Sequence, residues 1–137
     1  MAVITTNDFG AIVVNDKVLS KMIVEDLLDM SETIIPCNKK GKQIKHSPNP
    51  FEPDYYDAVE LSVRKERSEV SVNIIVRAGN NISEIAGDLA DRIEKDFTFL
   101  KLDFPKSITV HVRGIMEDEL VRKNIEITRT HDVNAAT

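Results

Sequence analysis

The side chains able to do covalent or acid–base chemistry are few. There is one cysteine, Cys37, and three histidines, His46, His111 and His131. A thiol becomes a nucleophile when a base or a positive charge favours its thiolate. His46 is near Cys37 in sequence, but nothing in that stretch fixes the two in a working geometry, so Cys37 reads as an incidental thiol. One cysteine also excludes an internal disulfide and a cysteine-rich zinc cage. His111 falls on the polar side of an alternating run, where a solvated or hydrogen-bonded imidazole is the simpler reading than a metal ligand. Asp88, Asp91 and Glu94 recur every third residue, which puts them on one helix face. Carboxylates that exchange protons with a substrate need a shielded cleft, and these read as a solvated face. No G-x-G-x-x-G, phosphate-binding loop, H-E-x-x-H or G-x-S-x-G is present. The reading is therefore of a non-enzyme, with no catalytic, cofactor-binding or metal residues assigned and no cofactor or small-molecule substrate implied.

One cluster rises above this background: Lys39, Lys40, Lys42 and Lys45, set around Gly41 with no acid among them. Such a run could touch phosphate, an anionic lipid surface or an acidic protein face, and is taken as the candidate partner-binding loop. The competing reading is a solubilising loop, since the run holds no arginine for bidentate gripping. The formal net charge of −5, and aromatics at 5% without tryptophan, disfavour nucleic acid as the main partner. A small RNA-binding domain using this loop stays as the alternative.

The elements that must carry the cluster follow from periodicity. Ala11-Ile12-Val13-Val14 reads as a first strand. Asn15 or Asp16 then caps a helix over about 16–30, with Leu19, Met22, Ile23, Leu27 and Met30 on one face. Residues 36–56 hold four of the five prolines and no clear period, and are expected to be a mobile insertion. Val59, Leu61 and Val63, then Val70, Val72, Ile74 and Val76, alternate with polar residues and predict an antiparallel hairpin. Asn81 with Glu84 opens a second helix whose stripe is Ile82, Ile85, Ala86, Leu89, Ile93 and Phe97. Ile108, Val110 and Val112 mark a last strand. The βαββαβ order predicts a two-layer α+β sandwich, both helices on one face of a mainly antiparallel sheet, with a ferredoxin-like arrangement as the simplest form. The domain is expected over 8–116. Residues 117–137 form a partly disordered extension, in which Glu117 to Lys123 could be a short helix and Ile125 and Ile127 an edge strand.

At 137 residues, 42% hydrophobic and 30% charged, the chain is long enough to bury a core unaided. Residues 1–14 show no basic leader, and no apolar run approaches the ~20 residues of a membrane span. The expected location is cytoplasmic, with any membrane contact made through a partner at its inner face.

Three segments resemble the alkaline shock protein family, the Gls-type envelope stress response proteins of mainly Gram-positive bacteria. They are Gly10-Ala11-Ile12-Val13-Val14-Asn15-Asp16 with Val18, the stretch from Val70 to Phe97, and Ile108-Thr109-Val110-His111-Val112-Arg113-Gly114-Ile115. They match the family's opening G-x-I/V-x-I strand, its alternating strand with a Gly/Asn turn and N-I-x-E helix start, and its closing V-x-V-x-G-V/I strand. The first helix departs from the pattern: it lacks the family's alanines and its Glu-x-x-Gly-Val end. The resemblance implies a scaffold or interaction protein without catalytic residues, one that forms homo-oligomers or docks on a protein partner, some relatives being held at the membrane that way. An open sheet edge, which the two-residue period implies independently, suits strand-mediated assembly.

Overall fold

The computed structural model describes residues 2–7, 10–44, 57–64 and 67–130. Strands β1 (Ala2–Asn7) and β2 (Gly10–Asn15) form a two-stranded antiparallel sheet. Helix α1 (Asp16–Asp29) follows directly, then β3 (Ile34–Pro36), β4 (Val59–Arg64) and β5 (Arg67–Arg77). Helix α2 (Ile82–Phe99) leads into β6 (Ser107–Met116) and β7 (Leu120–Thr130). The main sheet is mixed: β6 runs parallel to β5 and antiparallel to β7, while β3 and β4 both pair antiparallel with β5.

The two-layer α+β architecture is the expected one, and the apolar stripes explain it. Leu19, Ile23 and Leu27 of α1, with Leu89, Ile93 and Phe97 of α2, are almost fully buried against the inner face of the sheet. That inner face is the alternating set Val70, Val72, Ile74 and Val76, continued by Ile108, Val110 and Val112. At the head of α2 the Asn81 Oδ1 accepts the Glu84 N–H at 3.1 Å, the expected cap. At its foot, Lys101 N–H donates to Thr98 O and Leu102 N–H to Phe97 O, a Schellman closure. The left-handed residue of that closure is Lys101, φ 59°, where glycine is usual.

Several expectations are corrected. The sheet is not ferredoxin-like in arrangement, because β2 pairs with β1 rather than entering the main sheet. The domain does not stop at 116: residues 120–130 pair along β6, giving the edge strand rather than the short helix. Residues 131–137 lie outside the described residues. The segment 36–56 is not uniformly free of pairing. Pro36 is in β3, Cys37 bridges Gln43, and Ile44 donates its N–H to Pro36 O at 3.1 Å while its side chain joins the core. Residues 45–56 lie outside the described residues.

β3 and β4 are two pieces of one edge strand. β3 lies against residues 74–76 of β5 and β4 against residues 67–72, both in the same direction. The chain leaves this edge after Cys37 and rejoins it at Ala58. At the gap, Cys37 N–H donates to Asn73 O at 3.1 Å and Asn73 N–H donates to Ala58 O at 2.8 Å. Asn73 thus satisfies both broken ends with its own backbone, as a buried ladder requires.

Candidate interaction surface

The outer face of the sheet, opposite the helices, carries polar residues of the alternating strands beside a small apolar cluster of Ile35, Cys37 and Ile75. The excursion after Cys37 is folded back onto this face as a tight turn. Asn38 Oδ1 accepts the N–H groups of Lys40 and Lys42, both at 2.9 Å, while Asn38 O accepts the Gly41 N–H. Asparagine closes such turns because its side chain mimics a backbone carbonyl. Gly41 is buried with φ +79°, and a Cβ there would meet Arg122 Nη1 at 3.0 Å and Arg113 Cβ at 3.2 Å. Glycine is therefore required twice over, by conformation and by close approach.

The lysines are distributed by this turn. Lys39, Lys40 and Lys42 are exposed. Lys39 Nζ pairs with Glu60 Oε1 at 2.6 Å beside a hollow of about 420 Å³, which Asn38, Lys40, Asp57 and Val59 also line. Lys45 lies outside the described residues, as does His46. Sequence spacing missed the two arginines beneath the turn. Arg122 of β7 donates to Lys40 O at 2.7 Å, and Arg113 of β6 donates from Nε to Asn73 Oδ1 at 3.0 Å. Arg113 is the extra residue of a bulge, where the β5–β6 register slips between Val112 and Gly114. A bulge re-aims one side chain, and here it sends Arg113 toward the turn. The signal in sequence was only Arg113-Gly114 after the alternating run, and nothing in it pointed at Lys40.

Other groups on this face are chemically quiet. Cys37 is fully buried, and burial pushes its thiol up to about 12 despite Arg113 and Arg122 nearby. A thiol so shifted is a packing residue. His111 Nδ1 lies 3.0 Å from Glu126 Oε1, but burial, helped by Arg113, lowers its pKa against the pull of Glu126 and so favours the uncharged ring. Among the described residues, no group of three or more His, Cys, Asp or Glu is placed to hold a metal ion, and no helix is long and apolar enough to cross a membrane. Asp88 and Asp91 are exposed on α2 as expected, whereas the Glu94 side chain is only 18% exposed beneath Arg129. Asp91 and Glu94 receive Arg129 Nη1 of β7 at 2.7 and 3.1 Å.

The two sheet edges differ. One is broken into β3 and β4 by the excursion. The other, β7, is an unbroken run of 11 residues. Among the described residues no strand pairs with its outer side. Val121 is 49% exposed there, while Ile125 and Ile127 pack from β7 onto the core. Such an edge offers a row of free N–H and C=O groups to another strand. The chain matches no protein-family model, no curated protein and no solved structure.

Proposed function

We propose that this is a non-enzymatic interaction protein that assembles with copies of itself by adding strands at β7, and acts as a scaffold in the manner of the alkaline shock, Gls-type proteins it resembles. The observation that carries this reading is the long β7 edge, beside an opposite edge that is already interrupted. Natural sheets blunt edges they must keep single with short strands, prolines, bulges or inward charges. β7 has a register irregularity between Arg122 and Ile125 but no proline, and its later half keeps regular pairing with β6. Its one inward charge there, Arg129, is already matched by Asp91 and Glu94 of α2. The basic turn at Lys39, Lys40 and Lys42, backed by Arg113 and Arg122, is the surface proposed to dock an acidic partner, including one attached to the inner face of a membrane. Sedimentation velocity across a hundredfold range of protein concentration tests the assembly. Growth in mass with concentration supports it, and a strict monomer throughout overturns it.

A second reading keeps weight because the two arginines join the lysines: the same turn would grip the phosphates of RNA. It predicts anisotropy-detected binding that weakens steeply with salt, as counterions are released. A flat trace at low salt removes it.

A further inference from the structure

We propose that Asp26 of α1 and Asp96 of α2 share one proton across the seam between the two helices, and that the seam loosens when this proton leaves. The geometry comes from two matching pieces of sequence. In Ile23-Val24-Glu25-Asp26-Leu27 and Ile93-Glu94-Lys95-Asp96-Phe97, each aspartate stands between two fully buried core residues of its helix. Each is therefore carried to the flank of the apolar stripe, and the packing of α1 against α2 brings the two carboxyl groups into hydrogen-bond contact. Two carboxylates have no hydrogen between them, so the contact requires one to be a carboxylic acid. Each also has an Oδ2 that is shut off from solvent with no hydrogen-bond donor facing it, and both residues line one hollow at the seam.

The surroundings favour keeping the proton. From α1, Glu25 and Asp29 add negative charge. Asp88 and Asp91 of α2 line the adjoining hollow of about 500 Å³ with Arg92 and Lys95, Asp91 being paired with Arg129. The cations offset this only in part, and Arg92 is shared with Asp29 across the seam at 3.8 Å. Beneath α1, the main sheet presents Ile34, Val59 and Leu61, and β2 carries no ionisable residue. Burial, then the bond to Asp96 and its charge, raise Asp26 to about 9. Asp96 is raised as well, chiefly by burial. A carboxyl whose pKa is higher folded than unfolded stabilises the fold in acid, and that stability is lost as pH rises through the folded value. Doubly charged, the pair would repel across a seam that also holds Glu25 and Asp29.

Urea unfolding between pH 6.5 and 7.5 tests the shared proton, because that window stays below the free-thiol pKa of about 8.5, where Cys37 adds a dependence of the same sign. One proton taken up on folding makes the unfolding constant rise about tenfold per pH unit. In Asp96→Asn the amide can donate to the Asp26 carboxylate with no proton needed, and the Asp96 charge is gone. This slope should therefore fall well below that of the wild type, with burial alone left to hold the proton. Equal slopes in the two proteins would overturn the proposal. Carbon-detected titration of the wild-type carboxyls reads the same point without a variant: Asp26 protonated at pH 7 supports it, and ordinary titration of both groups near 4 overturns it. For the loosening, amide exchange in residues 23–27 and 93–97 is compared at pH 7 and 9.5 after correction for intrinsic base catalysis. Protection lost in the wild type and kept in Asp96→Asn is expected. Protection unchanged in both would leave no switch.

Discussion

Replacing Gly41 with alanine probes whether the basic turn is seated on the sheet. Alanine at φ +79° meets left-handed strain of about 1–2 kcal/mol. The new methyl would also press on Arg122 Nη1 and Arg113 Cβ. The Arg122 head can swing aside, but only by giving up its 2.7 Å bond to Lys40 O. For an exposed charged donor that adds about 1 kcal/mol, so the variant should lose roughly 2–3 kcal/mol. With unfolding entropy near 2.1 cal/mol/K per residue, a chain of 137 residues should then melt about 7–10 °C lower. Gly79 supplies the control: φ is +88°, yet nothing lies within 4 Å of a Cβ there. Gly79→Ala should show the strain alone, about 3–7 °C. Paired thermal melts measure the difference. If Gly41→Ala melts no lower than Gly79→Ala, the turn does not rest on Arg113 and Arg122, and the surface described for it is wrong.

Three further outcomes are expected. Lys101→Gly relieves the left-handed residue of the α2 Schellman closure and should raise stability by about 1 kcal/mol, read as a melting temperature a few degrees higher. Gly87→Ala inside α2 should also stabilise, by roughly 0.5–1 kcal/mol, because a Cβ there meets only Arg129 Nη2, at an ordinary 4.0 Å. Cys37, buried and with its thiol pushed up to about 12, should resist alkylation by iodoacetamide at pH 8 until the protein is unfolded in urea; prompt labelling of the folded protein would contradict its placement.

The parts of the fold written in period were legible. The α2 stripe and its Asn81 cap, and the alternation of Val70 to Val76 and of Ile108 to Val112, appear in the structure as read. What escaped depends on pairing across distance. β3 is only Ile34, Ile35 and Pro36, too short to show alternation, and it is a strand because β5 offers it a partner. Residues 120–130 carry Arg122, Lys123 and Asn124 at a register irregularity, which blurs the two-residue period that Ile125 and Ile127 begin. For the candidate surface, the lysines were visible as a run, but Arg113 and Arg122 reach it through a bulge and a separate strand. Asp26 and Asp96 were missed because a lone aspartate on a helix reads as solvated. The repeated pattern of isoleucine, then aspartate followed at once by a large apolar residue, was the available signal.

Strand addition at β7 is tested most directly by hydrogen exchange of its own amides at low and high protein concentration. Alternate N–H groups of residues 125–129, where pairing with β6 is regular, point away from β6 and should exchange freely in the monomer. If copies add to this edge, those alternate amides gain protection as concentration rises, while the inward-facing set stays protected throughout. Outward amides that exchange at unpaired rates at every concentration, in a sample that assembles all the same, would place the contact elsewhere and contradict assembly through β7.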